Sequence, residues 1–311
     1  MAETLKIGAR GSPLSLAQTG LIALALTAGR PGLTVEIVPI KTTGDKMLGA
    51  PLASLGGKGL FVKEIEEALL EGGIDLAIHS AKDLPGQLPE GLCLGATPAR
   101  ADCRDVLISS LPGGLAGLSP GARVGTSGLR RQAQLLARRP DLKISPIRGN
   151  LETRLKKTGA EVEAILLAAA GLNRLGLAPP QAVILPPEEM LPAVGQGILA
   201  LEIRQNDDRV AELIRPLHHE PTGLALAAER GFLAFWGGGC QLPAAALAVV
   251  EDGRLNLRAL IAYPDGRQIL RGQKTGPAGP TISEAAVLGR ELAAQLAANG
   301  GAEIMRETVG P

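Results

Sequence analysis

Aromatic side chains are nearly absent from this sequence: three phenylalanines, one tyrosine and one tryptophan among 311 residues. A base-stacking nucleic-acid platform needs several exposed rings in series, so no nucleic-acid partner is expected, and core packing falls to Ala, Leu, Ile and Val. Cysteine is as scarce. Cys93, Cys103 and Cys240 are odd in number and lack C-x-x-C spacing, which disfavours a disulfide framework or a thiolate zinc site and fits a reducing compartment. Of the three histidines, His218 and His219 are adjacent and His79 is distant, so no metal site is expected. No apolar run reaches the length of a membrane span, Ala164 to Gly171 being the best candidate, and MAETLKIGAR has no apolar signal region. The expectation is a cytoplasmic protein without a membrane partner. A formal net charge of +1 supplies no global field for a polyanion, so any anion must be recognised by local clusters.

What is present is a globular balance, 45% hydrophobic and 20% charged, in a chain long enough for two or three domains. LKIGAR reads as a strand, and Ser12-Pro13 as the N-cap and first residue of a helix toward Ala28. The strand TVEIVPI, the helix FVKEIEEALLEG and the strand DLAIHS complete a βαβ series. A second series follows Asp102: strand ARVGTS, helix LRRQAQLLARR, strand KISPIR, helix NLETRLKK and strand AEVEAILLAAAG. LPAVGQG reads as a linker and LALEIR as a strand that rejoins the first sheet. After His218 come a helix, three strands punctuated by Glu-Asp-Gly and Pro-Asp-Gly turns, and a last helix. The expected fold class is α/β: two domains with mixed, mostly parallel sheets, 1–98 with 198–217 and 103–192, then a small α+β domain, 218–311, with a three-stranded sheet.

In such sheets ligands collect where strands run into helix N-termini, and here those ends are cationic. Arg10 ends the first strand, Lys82 follows DLAIHSA, Arg130 and Arg131 open a helix, Arg148 ends KISPIR and Arg154 lies one turn into the next helix. Each alone reads equally as a solvated surface charge. Arginines in a first turn oppose the helix macrodipole, however, and the pair 130–131 points to an anion that offsets the cost. Together they suggest a site for several carboxylates or phosphates. Asp83, beside Lys82, is either a turn residue before Pro85 or a carboxylate that stabilises a cation and moves a proton. Lys58 in GGKG lacks full P-loop spacing and carries no nucleotide site. His79 reads as a satisfied core histidine. Cys240, behind Gly237-Gly238-Gly239, is either a small filler or an accessible thiol on an irregular loop.

The segments GGKGLFVKEIE, HSAKDLP, VGTSGLRRQ, IRGNLETRL, AAAGLNRLGL, LPAVGQG and GGCQLP, in this order, resemble the porphobilinogen deaminase family over nearly the whole chain. The resemblance implies two lobes like those of periplasmic binding proteins and a third domain bearing the cofactor. It implies a dipyrromethane held through a thioether to Cys240, four porphobilinogens joined head to tail with release of ammonia, and hydroxymethylbilane as product. It further implies that Arg10, Arg130, Arg131, Arg148, Arg154 and Arg174 bind acetate and propionate groups, with Lys82, Ser12, Thr126 and Gln196 as further cofactor or substrate contacts. Asp83 takes the catalytic role, and the enzyme is a monomer. Segments Thr97 to Arg104, Leu191 to Gly197 and Thr42 to Gly59 are expected to move as the product grows. Gly128, Ala81, Glu152, Gly237 and Ala245 depart from the family pattern. A rival reading is a two-lobed binding protein for an oxyanion or small acid, without catalysis; another is an enzyme using Cys240 as a transient nucleophile, which lacks a histidine partner.

Overall fold

Strands and helices follow the apolar periods of the sequence. A computed structural model describes residues 3–46, 62–238 and 242–309. The elements are β1 (Glu3–Arg10), α1 (Pro13–Thr27), β2 (Leu33–Ile40), α2 (Thr43–Lys46), α3 (Lys63–Leu70), β3 (Leu76–Ser80), β4 (Leu92–Ala96), β5 (Asp105–Ser109), β6 (Arg123–Gly125), α4 (Leu129–Arg138), β7 (Lys143–Ser145), α5 (Leu151–Lys157), β8 (Ala164–Ala168), α6 (Ala169–Arg174), β9 (Ala182–Leu185), β10 (Leu199–Arg204), α7 (Asp208–Ile214), α8 (Glu220–Phe235), β11 (Ala244–Glu251), β12 (Arg254–Ala262), β13 (Ile269–Ala278), α9 (Ile282–Leu296) and α10 (Ala302–Val309). Contacts divide the chain into two compact units, Met1–Arg100 with Ile198–Gly223, and Ala101–Gly197 with Leu224–Pro311.

The first unit holds one sheet in the order β2-β1-β3-β10-β4. Strands β1, β2 and β3 are parallel, and β10 runs antiparallel to both β3 and β4. LALEIR therefore does rejoin the first sheet, as its sequence suggested. Alternate residues bury on opposite faces: Leu76 and Ile78 join Ile22 and Leu26 of α1, whereas Ala77 joins Ile65 and Leu69 of α3.

The second unit repeats that arrangement in a sheet ordered β7-β6-β8-β5-β9, with β5 as the reversed strand. The expectation of two mixed, mostly co-directional sheets matches this topology. AILLAAAG differs from the continuous strand expected: β8 stops at Ala168 and α6 begins at Ala169. Alanine is the best helix former and lacks the branched carbon that favours a strand, so the run Ala168-Ala169-Ala170 changes state once the apolar branched residues end. KISPIR likewise ends early, at Ser145, where Pro146 supplies no N–H to the ladder. LPAVGQG is not an exposed tether: Leu191, Val194 and Gln196 are buried.

The same unit carries the antiparallel meander β11-β12-β13. One face of β11, through Ala244, Ala246 and Ala248, packs with α8 and α9; the other, through Ala245 and Leu247, packs with Ala133 of α4. Two glycines let α8 and α9 touch backbone to backbone. A Cβ on Gly289 would lie 2.0 Å from the Ala228 carbonyl oxygen, and one on Gly231 would lie 2.2 Å from that of Ala286. Gly289→Ala is expected to cost about 1–3 kcal/mol through this overlap, read as a lower urea midpoint; an unchanged midpoint refutes the close approach.

Candidate active site

In the first unit the site forms where β1 and β3 end. Ser12 caps α1, its Oγ accepting from the Ser15 N–H at 3.3 Å, with Pro13 preset for the first turn. After β3 the chain makes a single 3₁₀ turn, Ala81–Asp83, tied down by the Ala81 N–H donating to the Ile198 carbonyl at 3.0 Å. These two ends meet in a pocket lined by Arg10, Ser12, Gln18, His79, Ser80 and Asp83. Gln18 Nε2 donates to Ser80 Oγ at 3.0 Å and stiffens the wall. A guanidinium and a half-buried carboxylate thus share one small cavity with three serine side chains, Ser12, Ser15 and Ser80. Such a donor set accepts an acidic group on one side and positively polarised N–H groups on the other.

His79 is buried, as a core histidine should be, and its Nε2 is hydrogen-bonded to Glu202 Oε2 at 2.9 Å. Its ring nevertheless reaches the pocket wall.

In the second unit the cationic residues converge on one acid. Asp105 is completely buried at the start of β5. Arg130 Nη1 donates to its Oδ2 at 2.7 Å, Arg131 Nη2 to its Oδ1 at 2.7 Å, and Gln196 Nε2 to its Oδ1 at 3.0 Å. Burial pushes the Asp105 carboxyl up, but Arg130 and Arg131 outweigh it and hold it well below the usual carboxylate range. Arg130 Nη1 also donates to the Leu191 carbonyl, and Arg131 Nη1 to that of Leu166. The anion that offsets two arginines in a first helical turn is thus present inside the protein itself.

Thr126 is buried after β6, and its Oγ1 accepts from the Gly128 N–H at 3.3 Å, so Gly128 supplies a backbone donor where it has no hydroxyl. Arg148 is half-buried after β7. Arg154, in α5, donates from Nε to the Gly149 carbonyl at 2.8 Å, and Glu152 stands in the same helix's first turn. Arg174, at the end of α6, donates from Nη2 to the Gly197 carbonyl at 2.8 Å, and burial pulls its guanidinium below the usual range.

The structure therefore brings Arg10, Ser12 and Asp83 into one pocket, with Lys82 on the same turn, and gathers Arg130, Arg131 and Gln196 on Asp105. Cys240 and Lys58 lie outside the described residues, as does most of the segment Thr42 to Gly59; Gly237 and Gly238, just before Cys240, have φ of 81° and 62°, which favour glycine. Reading the sequence missed Asp105, Glu66 and Glu202. A faint signal existed in two of them: Asp105 opens the apolar run VLIS, and Glu202 interrupts the otherwise apolar LALEI. A charge inside a strand buried on both faces requires a partner.

Fold and site together define an α/β protein with guanidinium groups and carboxylates at the ends of its strands. The family model for "Porphobilinogen deaminase, dipyromethane cofactor binding domain" matches residues 5–212, and that for "Porphobilinogen deaminase, C-terminal domain" matches residues 224–298. A porphobilinogen deaminase of Nitratidesulfovibrio vulgaris is 48% identical over 310 residues, 99% of this chain and 98% of that one. One from Syntrophotalea carbinolica is 50% identical over 305 residues, 98% of this chain and 96% of that one. Among solved structures, a periplasmic substrate-binding protein of an ABC transporter from Coxiella burnetii aligns at TM-score 0.44 and 17% identity, covering 73% of this chain and 96% of that chain. The chain belongs to the porphobilinogen deaminase family. It is a transferase that condenses porphobilinogen stepwise into hydroxymethylbilane, releasing ammonia, on a dipyrromethane cofactor in tetrapyrrole biosynthesis. These matches support the enzyme and not the binding protein without catalysis. No described helix is long and apolar enough to cross a membrane.

Proposed function

We propose that the pocket around Asp83 is where this chain carries out the condensation, and that Cys240 holds the dipyrromethane through a thioether. The observation that carries the reading is the placement of Arg10, Ser12 and Asp83 in one cavity at the ends of β1 and β3. Its donor set fits a pyrrole bearing acid side chains: guanidinium and hydroxyl groups suit acetate and propionate, and a carboxylate suits ring N–H groups. The bound dipyrromethane supplies an unsubstituted pyrrole carbon as the starting point of the chain.

Arg10, Arg148, Arg154 and Arg174, with Lys82, Ser12 and Thr126, bind carboxylates of cofactor and substrate. Arg130, Arg131 and Gln196 do so from the rigid platform that Asp105 provides. Asp83 gives its proton to the leaving amine, and the carboxylate so formed accepts the substrate's pyrrole N–H and stabilises the positive charge left on its methylene as ammonia departs. Three functional regions are assigned, 1–98 with 198–217, 103–192 and 218–311. The enzyme acts as a cytoplasmic monomer without nucleic acid.

Intact-mass measurement tests the attachment. Protein from cells that make porphobilinogen should exceed its sequence mass by one dipyrromethane, and Cys240→Ser should abolish the increment; an unmodified wild-type mass overturns the reading.

A further inference from the structure

An acid cluster is buried behind the wall of the Asp83 pocket. Antiparallel pairing of β10 with β3 sets Ala200 opposite His79 and Glu202 opposite Ala77, so Glu202 and His79 are diagonal neighbours on the face covered by α3. Their 2.9 Å contact is closed to water, with side chains 4% and 0% exposed. Glu66 adds a second carboxyl from α3 and is itself buried. Among the described residues, neither Glu66 Oε1 nor Glu202 Oε1, both buried, has a hydrogen-bond partner.

Two carboxylates ionised together in such a place would put two desolvated charges against one imidazole, and a proton kept on one of them relieves this. Burial first, then the charge of Glu202, raises Glu66 from its ordinary value to about 7; His79 opposes the rise and Glu67 adds to it. On β4, Cys93 is pushed up by burial and by the same Glu202 charge. On the pocket side, Arg10 and Asp83 share the wall with His79, and α1 contributes the uncharged Ser15 and Gln18.

We propose that Glu66, Glu202 and His79 form one proton-holding cluster that sets the charge behind the Asp83 pocket, with Glu66 a positioning residue for the pocket's affinity for acidic substrate. With Glu66 protonated, the pocket meets the substrate's carboxylates with one fewer negative charge behind Arg10. Once Glu66 ionises, the added charge lies behind the same wall and opposes them. The inference rests on the reading of this pocket as the porphobilinogen site.

Its test uses the cofactor-loaded enzyme and porphobilinogen from about pH 6 to about pH 9, with kcat and KM resolved separately. In the wild type KM should rise several-fold through neutrality; in Glu66→Gln this step should vanish, with the kcat profile recorded in parallel. A role confined to packing would leave the KM step in place. Infrared titration gives a readout apart from turnover: a protonated-carboxyl band should disappear near neutral pH in the wild type and be missing from Glu66→Gln. An unchanged KM step in the variant, or no carboxyl titrating near neutrality in the wild type, overturns the proposal. The wild-type titration decides the matter alone if the variant does not fold. Retained mass increment and turnover with an unchanged KM step would refute the cluster and leave the active site standing, whereas a missing increment would refute the cofactor assignment instead.

Discussion

Asp83→Asn is expected to keep its attached dipyrromethane and lose turnover by roughly 10²–10⁴-fold, the usual span for a positioned acid–base group. The change preserves size and leaves the single turn Ala81–Asp83, anchored through the Ala81 N–H, without a steric reason to move. What disappears is the carboxyl group that shares the pocket with Arg10, and with it both the proton for the amine and the negative charge left once that proton is given. An amide offers an oxygen to a pyrrole N–H but neither stabilises a full positive charge nor protonates a departing amine. The loss should therefore fall on kcat, with intact mass unchanged. Turnover within a few-fold of wild type would remove Asp83 from its assigned role.

Asp105→Ala is expected to destabilise the protein by about 3–5 kcal/mol, because it strands buried Arg130 and nearly buried Arg131 without their counter-charge. Removing the carboxylate also breaks the bond from Gln196 Nε2 to Asp105 Oδ1, while the bond to the Cys103 carbonyl remains. Denaturant unfolding should show the loss, and holoenzyme yield should fall with it, since the same two arginines present their remaining surface to the cofactor in the proposed function. The pH dependence has a definite sign. Asp105 is held below its unfolded value, so its contribution is full above the unfolded pKa of about 4 and disappears as pH falls through the folded value. Wild type should thus lose stability below about pH 4 while Asp105→Ala loses less over that interval. Equal acid sensitivity would show that the Asp105 ion pairs contribute little.

Glu66 carries the opposite sign. Its folded value, about 7, lies above the unfolded one, so its contribution is full below about 4.5 and is lost as pH rises through 7. The two buried acids therefore bracket the stability of the molecule from different sides.

Local chemistry made much of the chain legible. Ser12-Pro13 announces a helix start because a hydroxyl cap and a preset φ act within four residues. Two Asp-Gly-containing turns announce the meander β11-β12-β13 for the same reason. The βαβ series follows from apolar period and from the rules for connecting parallel strands, whereas LALEIR returns as a strand antiparallel to both its neighbours, a pairing those rules do not give. The ordered series of motifs identifies the family, because so many spaced segments do not coincide by chance, and family membership carries substrate and cofactor class with it.

Pairing across the chain was not legible. Arg130 and Arg131 suggested an anion from their position in a helix, but only the fold puts Asp105, 25 residues before Arg130, beneath them. His79 read correctly as a core residue, yet its partner Glu202 lies 123 residues away on β10, the strand paired beside β3. The sequence by itself determined the family, the α/β class and the residue types that suit a polyacid, whereas the strands β4, β5 and β9 and the helices α6 and α7 appeared only in the fold. Which carboxylates are buried, which oxygens lack partners and which cations they restrain were decided by tertiary structure, because desolvation and ion pairing depend on distances between residues that the chain order alone leaves free.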